Sequence, residues 1–212
     1  MFFVSLILFF TLIFYIMVNK IYLKKGDNMK VLGINSSPRE ESNVRIALEA
    51  ALEAAGAKGA ETEIIDVNGL AISPCQADNY CKEHDSECAL NDDMADIYKK
   101  MEEADGIILA TPIYFFDITA QAKTVIDRLY CYFMNEKYSE LFSNKNVAII
   151  ATNGGAPVEA FEGSLKTQMV AFETLGFKTG DILVLGDNNI PGAIKEKEDQ
   201  LEKAKALGEN LL

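Results

Sequence analysis

Positive charge is what this sequence lacks most: 20 Lys and Arg stand against 32 Asp and Glu, a formal net charge of −12. A surface of that sign repels phosphate backbones and anionic membranes, so nucleic acid is excluded as an expected partner. Proline is scarce at five residues, and neither a low-complexity tract nor an internal repeat interrupts the chain, which leaves an ordinary globular composition. The only histidine, His84, reads as a loop residue and not as a catalytic base. Two phosphate-binding signatures are also missing, the Gly-Lys-Ser/Thr of a Walker A loop and the GxGxxG of a dinucleotide fold.

Charge is absent altogether from Phe2 to Val18, a run of 17 residues dense in Phe, Leu and Ile. That length reaches the lower edge of a membrane-spanning helix, roughly 17–25 residues. A secretory signal fits poorly, because no basic segment precedes the run and no small-residue cleavage site follows it. As a span it would place Lys20, Lys24 and Lys25 on the cytoplasmic side. The preferred reading is that Met29 is the true start. Lys24–Asn28 can be encoded by a purine-rich stretch like a ribosome-binding site, and the residues before it resemble translated AT-rich non-coding sequence. Residues 1–28 are thus an extension, either an anchor or a mis-assigned start, and 29–212 form the main domain. Both readings leave that domain in the cytoplasm.

From Lys30 onward short apolar runs alternate with helical patterns, which predicts a parallel sheet covered by helices. The expected strands are Val31–Ile34, Glu61–Val67, Gly106–Thr111, Asn146–Thr152 and Lys178–Leu185. The expected helices are Val44–Ala55, Asp92–Glu103, Ala120–Phe133, Val158–Leu175 and Glu196–Leu211. Such an α/β, doubly wound domain binds ligands beyond the carboxyl ends of its strands.

Three loops lie there. After strand one, Asn35–Asn43 carries Ser36, Ser37, Pro38, Arg39, Ser42 and Asn43 and opens onto a helix at Val44. A helix N-terminus with unpaired N–H groups and an arginine suits a phosphate, although Ser42 or Asn43 would serve equally as a helix cap. After strand three, Pro112-Ile113-Tyr114-Phe115-Phe116 puts three consecutive aromatics at the sheet edge. A flat ring such as an isoalloxazine would cover them, as would a neighbouring loop. After strand four, Thr152-Asn153-Gly154-Gly155 supplies glycines that let the backbone approach a ligand, or simply a turn.

Lys30–Arg39 together with Ser42 and Asn43 resembles the opening of the NADPH-dependent FMN reductase and iron–sulfur flavoprotein families, whose phosphate loop reads roughly G-S-P-R-x-x-S-N. Ser36 stands in place of the usual glycine. Thr111-Pro112-Ile113-Tyr114 with Gln121, Lys123, Asp127 and Arg128 is similar to the family stretch P-x-Y followed by a helix ending in D-R. The resemblance implies a flavodoxin-like sheet of five parallel strands in the order 2-1-3-4-5. It implies FMN, its phosphate held by Ser37, Arg39, Ser42 and Asn43, and residues 112–116 and 152–155 along the ribityl chain and ring. NAD(P)H enters as co-substrate, a quinone, free flavin, nitro compound, iron centre or protein as acceptor, and a homodimer or homotetramer as the assembly. No protein nucleophile is expected, since the flavin carries the chemistry.

Cys75, Cys81 and Cys88 lie in an insertion at about residues 72–92, and Cys131 lies elsewhere, within an expected helix. In a cytoplasmic protein such a group points to metal or redox work before disulfides. It also resembles the C-x2-C-x2-C-x4-7-C run of iron–sulfur flavoproteins, with Asp92-Asp93-Met94 following, but Asp78 occupies the second position. A carboxylate is a harder ligand than a thiolate. The preferred reading is a relative without a cluster, whose loop covers the flavin or a dimer contact. A cluster on Cys75, Cys81 and Cys88, or zinc held with His84, are the alternatives. Rival functions are a flavodoxin-type electron carrier that does not use NAD(P)H, an iron–sulfur flavoprotein, and a non-catalytic binding protein on the same fold.

Overall fold

The structure, a computed structural model, describes residues 29–212. The apolar run at 2–18, and with it the question of anchor or mis-assigned start, lies outside the described residues. Five strands, β1 (Lys30–Asn35), β2 (Glu61–Asp66), β3 (Gly106–Pro112), β4 (Asn146–Thr152) and β5 (Lys178–Leu185), form one parallel sheet in the order β2-β1-β3-β4-β5. This is the doubly wound flavodoxin-like arrangement, and the strand order reverses between β1 and β3. β3 sits at the centre and is covered on both faces, which is why Ile107, Ile108, Leu109 and Ala110 run unbroken and all are fully buried.

Two cores flank the sheet. Ile108, Ala110, Ala148 and Ile150 face α1 (Asn43–Ala57) and the last helix, whereas Ile107, Leu109, Val147 and Ile149 pack into the larger core on the other side. That second core is covered by α3 (Met94–Glu103), α4 (Ala120–Arg128), α5 (Glu136–Phe142) and α6 (Glu162–Thr174). The short α2 (Tyr80–Glu83) lies in the insertion, and α7 (Glu198–Asn210) closes the chain.

α1 and α7 touch almost backbone to backbone. A Cβ added at Gly208 would stand 1.9 Å from the carbonyl oxygen of Ala51, and one at Gly33 would stand 2.9 Å from Leu52 Cδ1. The leucine can move; the helix carbonyl cannot. Gly208→Ala is therefore expected to push α7 off α1 and cost about 3 kcal/mol, the upper range of core overpacking. That corresponds to a fall of roughly 10 °C in Tm for a domain of this size, measured by thermal denaturation. An unchanged Tm would show that the two helices part freely.

The helix expected over Ala120–Phe133 changes character at Arg128, and Leu129–Tyr132 continues as a 3-10 turn. Lys82 Nζ reaches the Tyr130, Cys131 and Phe133 carbonyls at 2.7, 3.3 and 2.6 Å, taking acceptors that a continuing helix would use. Similarly Val158–Phe161 is a 3-10 turn behind Pro157, and α6 begins at Glu162. α2 and α5 carried no periodic signal long enough to read. Among the described residues no helix is long and apolar enough to cross a membrane.

Candidate functional site

At the carboxyl edge of the sheet the loops after β1, β3, β4 and β5 enclose a cleft of about 320 Å³. The β1 loop is anchored from below. Ser36 is fully buried, and its N–H and Oγ both donate to the Ala110 carbonyl, each at 2.9 Å, so this side chain fastens the loop to β3 and does not face the cleft. Ser42 caps α1 by accepting from the Arg45 N–H. The N–H groups of Asn43 and Val44, the first two of the helix, have no partner among the described residues, and they carry the positive end of the helix dipole.

Asn43 spends its side chain elsewhere. Its Nδ2 donates to the Asn188 and Ile190 carbonyls at 2.9 and 2.8 Å, while its Oδ1 accepts from the Ile194 N–H. The residue clamps the β5 loop against the start of α1. Arg39 adds a bond to the Asn189 carbonyl at 3.2 Å, across the mouth of the cleft.

The aromatic wall is a tight hairpin. Tyr114 and Asp117 exchange both main-chain hydrogen bonds, leaving Phe115 and Phe116 as the two turn residues at φ 48 and 72. Turns with two positive φ values favour Asn-Gly, and bulky residues there are strained by about 1–3 kcal/mol each. The two main-chain hydrogen bonds hold the turn against that strain, with Phe115 97% exposed. Opposite them Asn153 accepts from the Gly155 N–H, and its Nδ2 is buried without a partner. Asn188 Oδ1 is a second buried atom without a partner on the same cleft.

Of the residues expected from the sequence, Ser37, Arg39, Ser42, Asn43, Pro112, Ile113, Tyr114, Phe115, Thr152, Asn153 and Gly154 line this one cleft. Ser36, Pro38, Val44, Phe116 and Gly155 stand behind or beside the lining. Asn188 and Asn189 belong to it and were not expected. Their signal was position alone, a polar pair following a strand at the ligand-binding edge.

Residues 29–184 match the NADPH-dependent FMN reductase family. The chain belongs to that family. It is 34% identical over 195 residues to an iron–sulfur flavoprotein of Methanocaldococcus jannaschii, covering 86% of this chain and 95% of the relative. Among solved structures it resembles an NAD(P)H:quinone oxidoreductase from Methanothermobacter marburgensis, at TM-score 0.67 and 21% identity over 88% of this chain and all of that one. It also resembles an FMN-dependent NADH-azoreductase of Bacillus anthracis solved with FMN, at TM-score 0.65 and 15% identity, covering 86% and 99%. Membership of the FMN reductase family makes the protein an oxidoreductase that uses FMN and a reduced nicotinamide. The cleft fits the cofactor: it offers free N–H groups at a helix N-terminus, an adjacent arginine, an aromatic wall and an unpaired amide donor.

Within the FMN reductase family the iron–sulfur relatives direct attention to the cysteine loop. Arg128 is buried, with a side chain 1% exposed, and grips both ends of the insertion. Its guanidinium pairs with Asp92 at 2.7 and 3.1 Å and donates to the Ser73 carbonyl at 2.8 Å. The D-D-M and D-R stretches are thus two halves of one clamp. His84 stacks on Tyr80 with ring centroids 3.6 Å apart, its Nδ1 bonded to the Tyr80 carbonyl. Asp78 Oδ1 accepts from the Tyr80 N–H. All four cysteines are free thiols. Among the described residues no group of three or more His, Cys, Asp or Glu gathers about a point that could hold a single metal ion.

Cys131 corrects the expectation most. It is not remote from the loop but buried beside it; burial pushes its thiol up to about 12, and Cys81 and Cys88 are near enough for their charges to act on it. Cys81 in turn is raised by burial and feels Cys88 and Cys75. A second cavity, about 590 Å³, opens beside Cys88, Tyr98 and Tyr132.

Proposed function

We propose that this cleft holds the FMN and that the protein passes electrons from NAD(P)H to a quinone, free flavin, nitro compound or protein acceptor. The observation that carries the site assignment is the convergence of four strand-end loops on the cleft beside the unpaired N–H groups that open α1. Ser37, Ser42, Arg39 and the Asn43 and Val44 N–H groups would bind the phosphate, and Asn43 would hold the β5 loop shut over it. Asn153 Nδ2 and Thr152 would meet polar atoms of the ribityl chain or ring, and the Tyr114–Phe116 hairpin would stack against a flat face and exclude water. Bound FMN supplies the hydride and electron transfer.

A cytoplasmic location and a homodimer or homotetramer belong to the same reading. An aromatic as exposed as Phe115 at the cleft mouth suits cover by a nicotinamide or a second subunit. Purification without oxygen, with the visible spectrum recorded before and after NADPH and NADH, tests the proposal. A yellow protein that bleaches with a nicotinamide is expected. A yellow protein that neither nucleotide bleaches would make it an electron carrier, and a colourless one with no affinity for FMN would end the site assignment.

A further inference from the structure

The insertion wraps around one short segment, residues 128–135, to which four of its residues are bonded: Ser73, Lys82, Ser86 and Asp92. Arg128 holds both ends of the insertion through Ser73 and Asp92. Lys82, the residue after Cys81, is bonded to three carbonyls of that segment, one of them Cys131's own, and sits 4.2 Å from the centre of the Tyr130 ring. Asn135 Nδ2 donates to Ser86 Oγ at 2.9 Å, and the Ser86 N–H returns to the Cys81 carbonyl. The loop carrying Cys75, Cys81 and Cys88 is thereby folded over Cys131, which is buried beneath it and belongs to the core against which Cys81 packs.

We propose that Cys131 supplies the fourth thiolate of an iron–sulfur cluster site whose other ligands are Cys75, Cys81 and Cys88. Asp78, at the position where the related motif has its second cysteine, is a hard carboxylate whose Oδ1 is committed to the Tyr80 N–H. A soft donor from a different part of the chain replaces it. The arrangement also accounts for the lack of a single-ion site. Ligands of one ion crowd around one centre, whereas each thiolate of a polynuclear cluster takes a different iron and the sulfurs stand farther apart. Lys82, with its ammonium held against the same segment, places a positive charge beside what would be a negatively charged cluster. The assignment does not depend on where FMN binds.

The test compares the wild type with C131A, D78A and the double variant C131A/D78C, each purified and reconstituted anaerobically with ferrous iron and sulfide. Iron, acid-labile sulfide, the EPR spectrum and bound FMN are measured on every sample. The wild type should hold about four iron and four sulfide per chain. D78A should hold the same. C131A should fall to about three iron or fewer while retaining its FMN, and D78C in that background should restore about four by rebuilding the compact motif. Retained FMN reports a folded C131A chain, and the rescue excludes collapse of the loop as the cause. Absence of iron from the wild type, a full complement in C131A, or its loss in D78A would each overturn the assignment. Iron without flavin would strike the cleft proposal and leave this one standing; flavin without iron would do the reverse.

Discussion

Asp92→Ala is expected to destabilise the protein by about 3–5 kcal/mol, the cost of stranding one member of a buried ion pair. Four hydrogen bonds end on the Asp92 carboxylate: two from Arg128, one from the Ser73 N–H and one from the Met94 N–H. Its own loss is softened because its side chain is 12% exposed; the loss suffered by Arg128, at 1%, is not. Without Asp92 the guanidinium would keep the Ser73 carbonyl alone, and its Nε already lacks a partner. Thermal denaturation should show a fall of roughly 10 °C or more. Asp92→Leu combined with Arg128→Met should recover much of that loss, because the orphaned charge and not the missing attraction is what costs most. A double variant less stable than Asp92→Ala would sink this account.

The same pair sets an acid limit. Burial pushes the Asp92 carboxyl up, yet Arg128 and the two N–H donors outweigh it and hold the group below its ordinary value of 3.8. A carboxyl lowered by folding contributes its full stability above 3.8 and loses it as pH falls below that value through the folded one. The cysteine loop of the wild type should therefore loosen in acid, seen as faster hydrogen exchange at residues 71–93, and Asp92→Ala should lack this acid step.

The central strands were legible because a parallel sheet buried on both faces writes itself as apolar runs, and β4 begins and ends at the expected residues; β5, an exposed edge strand, keeps its expected bounds through the apolar second half Ile182–Leu185. The three loops that line the cleft were legible because strand carboxyl ends are where such sheets open their clefts. What stayed hidden depends on contacts between distant residues. Nothing near Asn43 shows that its amide is committed to carbonyls more than a hundred residues away, so capping and phosphate binding looked like the only choices; the structure gives the cap to Ser42 and makes Asn43 a clamp. The Phe115-Phe116 turn was hidden because its backbone belongs to Asn-Gly sequences. Cys131 was set apart from the other cysteines for want of the clamp at Arg128 and the reach of Lys82, neither of which has a local signature.

Asn43→Asp should raise the Kd for FMN by at least about 100-fold, near 2.7 kcal/mol. The substitution keeps an acceptor for the Ile194 N–H but replaces the amide that donates to Asn188 and Ile190 with a carboxylate oxygen. Three oxygens would then converge at a site 5% exposed, each without a proton to share. Unmade bonds of this kind cost about 1–3 kcal/mol apiece, whereas a carboxylate near a helix N-terminus returns only about 0.3–1 kcal/mol, so the loss wins. The charge adds a second penalty, because it stands where, on the proposed reading, α1 would present its free N–H groups to the FMN phosphate. Asn43→Ala loses the clamp without gaining the charge and should weaken FMN by roughly 10-fold. Titration of the flavin-free protein by FMN fluorescence quenching measures both. If Asp at this position binds FMN within threefold of the wild type, the phosphate does not sit at the start of α1; if Asp and Ala weaken it equally, the clamp matters and the charge does not.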